Sequence, residues 1–204
     1  MTVTKGFIQL LRNPGLSEQD KEYYMITALD ALEKAESIIT DYLTFAKPSL
    51  ENVKVLDLLT ELTSIKNFIE PYAAINNVEI EMSLEENIYS AGEKEKLHQC
   101  LINIVKNGIE AMPQGGKLKV ELKRFRSNAV ITIADTGVGM NEEQLERLSS
   151  PFFTTKDIGT GLGTMVVYSV VKAMDGDIYV DSTPGKGTSF TVLLPTVEGL
   201  DTAI

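Results

Sequence analysis

Residues 128–140 read NAVITIADTGVGM. Asn128 to Ala134 has the composition of a strand, and it runs directly into Asp135 with glycines two and four residues later, at Gly137 and Gly139. A carboxylate at a strand end beside such a turn has a use. Glycine lets the backbone approach a flat ligand closely, and the carboxylate accepts hydrogen bonds from an exocyclic amine such as that of adenine. The rival meaning of Asp-Thr-Gly is an aspartic-protease triplet, which needs two such carboxylates side by side in an all-β fold. The rest of the chain is too helical for that.

Upstream, Gly92 to Met112 predicts a helix that stops at Pro113 and Gly115-Gly116. Leu97, Leu101, Ile104, Gly108 and Met112 share its apolar face, and Asn103 and Asn107 stack four residues apart on the polar margin. Two stacked asparagines are equally well read as solvated, but an amide oxygen is also a suitable hard ligand for Mg²⁺. Lys117 to Lys123 alternates apolar and charged residues as a half-exposed strand does. Downstream, Gly159-Thr160-Gly161-Leu162-Gly163-Thr164 opens an apolar helix expected over Leu162 to Met174. Backbone N–H groups of such a loop at a helix start make an anion site for phosphates. The spacing fits neither the dinucleotide fingerprint nor a P-loop, and Asp175 to Asp181 lacks the glycine and final acid of a calcium loop. Val78 to Met82, Asp177 to Asp181 and Thr188 to Leu194 read as further strands, and Glu142 to Ser149 as a short helix. Val55, Leu58, Leu59, Leu62, Ile65, Ile69 and Tyr72 predict one more helical face, and residues from Val197 onward a frayed tail. Helices on one face of a mixed, mostly antiparallel sheet make residues 49–204 an α+β sandwich.

Residues 1–48 have a different pattern. A first helix carrying Val3, Phe7, Leu10 and Leu11 breaks at Asn13-Pro14-Gly15, and Ser17 then caps a second. Met25, Ala28, Leu32, Ala35, Ile39, Tyr42 and Ala46 form a seam spaced by threes and fours, widened by Leu29, Ile38 and Leu43. A hairpin with so broad a stripe cannot bury it alone, which predicts dimerisation into a four-helix bundle; the alternative is packing on its own second domain. Composition narrows the functional classes. Among 204 residues, 19 Lys and Arg stand against 29 Asp and Glu, a net charge of −10. That excess disfavours nucleic acid and anionic membrane surfaces as partners. One cysteine, Cys100, and one histidine, His98, leave no disulfide and no Cys- or His-based metal site; both read as packing residues. No leader or spanning segment is visible, so a cytoplasmic location is expected, with an anchor on a longer parent left open.

The motifs, taken in order, resemble the ATP-binding domain of bacterial sensor histidine kinases, and most closely their sporulation-type members in bacilli. Asn103-Ile-Val-Lys-Asn107 is similar to the family's N box, Asp135-Thr-Gly-Val-Gly139 to its G1 box and Pro151-Phe-Phe-Thr-Thr-Lys156 to its F box. Gly159-Thr-Gly-Leu-Gly163 resembles the G2 box, and Gly185-Lys-Gly-Thr188-Ser-Phe190 the terminal glycine motif. Residues 1–48 likewise look like the dimerisation and phosphotransfer hairpin.

The resemblance implies a Bergerat-type ATP fold for 49–204, with ATP and Mg²⁺ as ligands. It assigns Asp135 to the adenine amine, Asn107 to Mg²⁺ with Asn103 beside it, and Lys106 or Lys156 to phosphate oxygens. Asn103, Asn107 and Lys156 would be catalytic. Gly137, Gly139, Gly159, Gly161, Leu162 and Gly163 would line the nucleotide, Phe152 and Phe153 would anchor a lid over it, Phe153, Thr154 and Thr155 would contact ATP, and Thr188 would hold the adenine end. An amide at Asn103, where hydrolytic relatives of the gyrase and Hsp90 type carry Glu, implies slow hydrolysis and transfer to a side chain. Implied partners are a second copy through residues 1–48, a response regulator or phosphorelay receiver protein, and a protein inhibitor of the hairpin. The family's phosphoacceptor histidine lies in a His-Glu-x-x-Asn-Pro segment just ahead of residues resembling Met1-Thr2. The chain is therefore expected to bind ATP and dimerise without phosphorylating itself; a non-catalytic ATP-binding and dimerisation module is the alternative.

Overall fold

The structure, a computed structural model, describes residues 2–12, 15–46, 50–150, 152–154 and 161–198. It divides into two units, Met1–Leu43 and Thr44–Ile204. The expected boundary at Pro48 lies outside the described residues.

The first unit is built from α1 (Thr2–Leu10) and α2 (Glu18–Ala46), the latter running past the division. Ser17 caps α2 as its sequence predicts: its Oγ accepts from Asp20 N at 3.1 Å, and Glu18 and Asp20 place charge where the helix dipole favours it. The Phe7 and Tyr24 rings stack at 5.5 Å between the two helices. The hairpin is present; its burial is not. Met25, Leu29, Leu32, Ile39, Tyr42 and Leu43 are all exposed, between 47% and 60%. The second copy expected to complete a four-helix bundle is not part of the structure.

The second unit runs β1 (Lys54–Asp57), α3 (Leu58–Ile75), β2 (Val78–Leu84), β3 (Tyr89–Gly92), α4 (Lys94–Glu110), β4 (Gly116–Phe125), β5 (Asn128–Asp135), α5 (Glu142–Glu146), α6 (Gly163–Ala173), β6 (Asp177–Thr183) and β7 (Gly187–Val197). Seven strands make one sheet in the order β1-β3-β7-β5-β4-β2, with β6 also paired to β7. Among the described strands only β2 and β4 run parallel. Along β5, buried and half-buried residues alternate, so one face of the sheet is covered. Ala129, Ile131 and Ile133 of β5 and Phe190, Val192 and Leu194 of β7 pack there with Leu62 and Ile65 of α3, Leu101 and Ile104 of α4, and Val166 and Val170 of α6. The α+β sandwich expected from sequence is the observed architecture.

Several boundaries differ from the sequence expectation, each for a local reason. Val55 belongs to β1 and not to the following helix, because Asp57 accepts from Leu59 N and starts α3 at Leu58. Gly92 ends β3 and does not open α4; a Cβ there would run into the Met174 Sδ–Cε end. Both missed strands are four residues long, too short for periodicity to register. Helix α5 closes at Glu146, not Ser149, and Val197 is the last residue of β7 and no part of a frayed tail.

Candidate functional site

Asp135 ends β5. The β5–β7 register pairs Ala134 with Ser189, which sets Asp135 opposite Thr188. One carboxylate oxygen, Oδ1, accepts from Gly137 N at 2.8 Å and Thr188 N at 3.2 Å. Its Oδ2 lies toward α4, 3.5 Å from where a Cβ on Gly108 would stand, so the glycine keeps that oxygen uncovered. Burial pushes the Asp135 carboxyl above its ordinary range, opposed by the amides of Gly137 and Thr188. The result is an acceptor held rigidly in a nearly dry setting, with only 8% of the residue exposed.

The turn after it is clamped from both sides. Val138 N donates to Ala111 O at 3.0 Å, and a Cβ on Gly137 would collide with that same carbonyl. Gly139 has φ +64° and no room for a side chain against Thr183 O. Ser182 of β6, not singled out from the sequence, joins three pieces of the site. Its Oγ accepts from Met140 N at 2.8 Å, donates to Gly187 O at 3.1 Å and lies 2.9 Å from Thr188 Oγ1. A lone serine in a strand carries no signal in one sequence; only strand pairing, which sets Ser182 opposite Thr188, reveals it.

The second glycine loop meets the same helix. Asn103 Nδ2 donates to Gly163 O at 3.3 Å, which turns its amide oxygen the other way. Gly163 bears its missing side chain toward that amide, 3.6 Å from Asn103 Cγ. Gly161, at φ +66°, sits against the backbone of Phe152 and Phe153, while Leu162 is buried. The Arg147 guanidinium lies over the Phe153 ring at 4.5 Å. Thr154 follows directly on this pair in sequence. Asn107, half-buried, stands one turn beyond Asn103 and adjoins Gly108.

The α4 helix thus brings Asn103, Asn107, the Asp135 turn with Gly137 and Gly139, and Gly161–Gly163 to one edge of the sheet, with Thr188 beside Asp135. Lys106 is placed elsewhere: its amine lies over the Tyr72 ring of α3 at 5.9 Å, beside a Tyr72 hydroxyl that bonds Glu110 at 3.4 Å. Thr155, Lys156 and Gly159 lie outside the described residues. His98 pairs with the buried Glu61 at 2.6 Å, with Lys94 3.0 Å from the same oxygen, and Cys100 is buried with its thiol pushed up to about 12. Cys100 is a core residue, as its sequence context predicts, and His98 is a part-exposed residue in an ion pair.

The donor set bears on the metal. Among the described residues no group of three or more His, Cys, Asp or Glu could cage one. Asn103 and Asn107 offer neutral amide oxygens instead, which suits Mg²⁺, an ion that keeps several waters and takes phosphate oxygens as ligands.

A family model described as histidine kinase-, DNA gyrase B-, and HSP90-like ATPase matches residues 92–198, the span that holds every described element of this edge. The chain belongs to this ATPase family. Within it, this is the ATPase domain of the sensor histidine kinases: it is 40% identical over 200 residues to sporulation kinase E of Bacillus subtilis (strain 168), covering 96% of this chain and 26% of that protein. The chain thus spans about a quarter of that relative's length. Full-length ShkA in complex with AMPPNP superposes with a TM-score of 0.80 at 22% identity, over 97% of this chain and 43% of ShkA. Histidine kinase ThkA in complex with response regulator protein TrrA gives 0.73 at 21%, over 96% of this chain and 57% of ThkA. At these identities the two structures speak for the fold alone. The ATPase-family chain has no helix, among its described residues, long and apolar enough to cross a membrane.

Proposed function

We propose that the chain is the ATP-binding core of a two-component sensor histidine kinase, which moves the γ-phosphoryl group of ATP to a histidine and from there to an aspartate of a response regulator. The observation that carries this is the pairing of a dry, amide-anchored Asp135 with an asparagine, not a glutamate, at position 103 on the helix that touches both glycine turns. Asp135 accepts the adenine amine. Thr188, Gly137 and Gly139 flank the base, and the N–H groups at Gly161, Leu162 and Gly163 meet phosphate oxygens at the start of α6. Asn107 and Asn103 hold a magnesium ion, which supplies charge neutralisation at the phosphates. Lys156 adds positive charge, and Phe153, Thr154, Thr155 and Gly159 belong to a lid. An amide at 103 takes no proton from water, so hydrolysis is slow and the phosphoryl group awaits a side-chain acceptor.

The hairpin supports the second half of the reading. Residues 1–48 dimerise into a four-helix bundle through the exposed α2 stripe, and that bundle receives the response regulator or receiver protein and a protein inhibitor; the molecule works in the cytoplasm. ThkA, captured with TrrA, lends the regulator its plausibility. The acceptor histidine is supplied by another segment, since His98 is held against buried Glu61.

Calorimetric titration with ATP and Mg²⁺ tests the reading. Binding by the chain and its loss in Asp135→Asn are expected; binding indifferent to that substitution overturns it. A second reading, a regulatory module that binds ATP and dimerises without transferring phosphate, is favoured by the position of His98. Mixing the chain with a histidine-bearing hairpin of a relative separates the two: labelled phosphate on that histidine makes the chain a kinase in trans, and none makes it the module.

A further inference from the structure

From Asn103 to the end of α4 at Glu110, the positions that escape burial are 103, 106, 107 and 110. That i, i+3, i+4, i+7 set is one face of a helix, on which residues three or four apart stand side by side. Asn103 and Asn107 are the half-buried amides of this face, and Glu110 is the exposed carboxylate that ends it. Asn107 and Glu110 share the last turn, where the carbonyl end of the helix dipole is negative and where α4 carries no basic residue. Lys106, one turn before Glu110, leans over the Tyr72 ring of α3, and the Tyr72 hydroxyl lies 3.4 Å from Glu110 Oε1. On its other side this helix end meets the Asp135 turn: Val138 N donates to the carbonyl of Ala111, the residue after Glu110. Glu110 thus puts an anionic side chain on the face of Asn107, at the helix end already negative.

We propose that Glu110 is a positioning residue for the metal: its carboxylate accepts from waters that Mg²⁺ retains, and its charge makes the site favour metal-bound over metal-free ATP. The inference rests on the ATP-site reading above. Mg²⁺ gives up its waters reluctantly, and those waters are oriented by acceptors beyond the two neutral amides. A carboxylate accepts several hydrogen bonds at once, so its contact with Tyr72 does not exhaust it. Charge works in the same direction. Uncomplexed ATP brings a bare polyphosphate toward a negative helix end and a carboxylate, whereas a dication between them turns repulsion into attraction. Removing the charge of Glu110 therefore acts with opposite signs on the two forms of the nucleotide.

The test is the ratio of ATP dissociation constants without and with Mg²⁺, measured in EDTA and in excess Mg²⁺ on the 204-residue chain. Displacement of a fluorescent ATP analogue reads the weaker, metal-free constant. The unmodified chain is expected to bind more tightly with the metal. Glu110→Gln should shrink the ratio about tenfold, the low end for a residue that acts on a metal through its waters, as suits an exposed side chain. It should do so by weakening the metal-bound nucleotide and tightening the free one. Tyr72→Phe, which removes the hydroxyl contact and leaves the charge, should keep the ratio within about twofold. An equal change in both constants after Glu110→Gln, with the ratio kept, makes Glu110 only structural and overturns the proposal while sparing the ATP site. So does a ratio that falls as far in Tyr72→Phe, since the hydrogen bond and not the charge then carries the effect. No binding of ATP by the unmodified chain in excess Mg²⁺ overturns the ATP-site reading itself.

Discussion

The two units handle their apolar residues in opposite ways. In Thr44–Ile204, Leu101, Ile104, Ile131, Val166 and Leu194 are each at most 1% exposed, shared between a sheet face and three helices. In Met1–Leu43, side chains of the same kind stand half in water: Ile26 is 60% exposed, Leu32 52% and Ile39 59%. A sheet covered by helices completes its own core, whereas two helices have no third layer to close theirs. The lesson is a division of labour: one unit closes its own core, and the other leaves its apolar stripe exposed.

The strongest way to break that contrast is to empty one position in each unit. Ile104→Ala, on the helix carrying Asn103 and Asn107, should cost about 2–5 kcal/mol in denaturant unfolding. Leu32→Ala should change the unfolding of the second unit by less than about 0.5 kcal/mol. Comparable losses from both would mean the hairpin stripe is buried against something within the chain.

Asp135→Asn should weaken ATP by about 100-fold in calorimetry, because an amide nitrogen takes the place of Oδ2 as a second acceptor. The same change should raise stability at neutral pH by about 0.5–1 kcal/mol, since the amide oxygen still accepts from Gly137 and Thr188 while a desolvated charge disappears. The sign follows from the raised carboxyl. What that group adds to stability is fully present below its ordinary value of 3.8 and is lost as pH rises through the folded value. The gain from Asp135→Asn should therefore shrink to nothing in acid. A gain that grows as pH falls would contradict the assignment.

On the other unit, Leu32→Asp should shift the chain from dimer to monomer in sedimentation and leave ATP affinity within about twofold, since a charge enters the proposed seam and no residue of the proposed nucleotide site changes. The smallest expected effect is Lys106→Ala. Its amine rests on the Tyr72 ring, so the stability loss should stay near 0.5–1 kcal/mol. A tenfold loss of ATP affinity in that variant would return Lys106 to the phosphates.

Much of the site could be read in the sequence because its chemistry is local. Asp135 with Gly137 and Gly139, and Asn103 with Asn107, are short-range patterns that a strand end and a helix display directly, and their order along the chain narrowed their alternative readings. Ser182 was invisible because its importance comes from facing Thr188 across two strands, a relation that spacing along the chain does not encode. Strands β1 and β3 escaped for a similar reason: four residues show no period, and they exist because β3 pairs with β7 over Tyr89 and Ser90.

By itself the sequence determined the classes of element, the excess of acidic residues and the order of the boxes, since these depend on residue types at short separations. Only the tertiary structure decided that Asp135 is held by Thr188 N, that Asn103 reaches Gly163 O, that Lys106 turns to Tyr72, and that Ser182 stands against Thr188. Those relations join positions 34 or more residues apart, or set strand against strand. Hydrogen-bond direction at such places is fixed by which neighbours can donate, and the neighbours are known only once the sheet has formed.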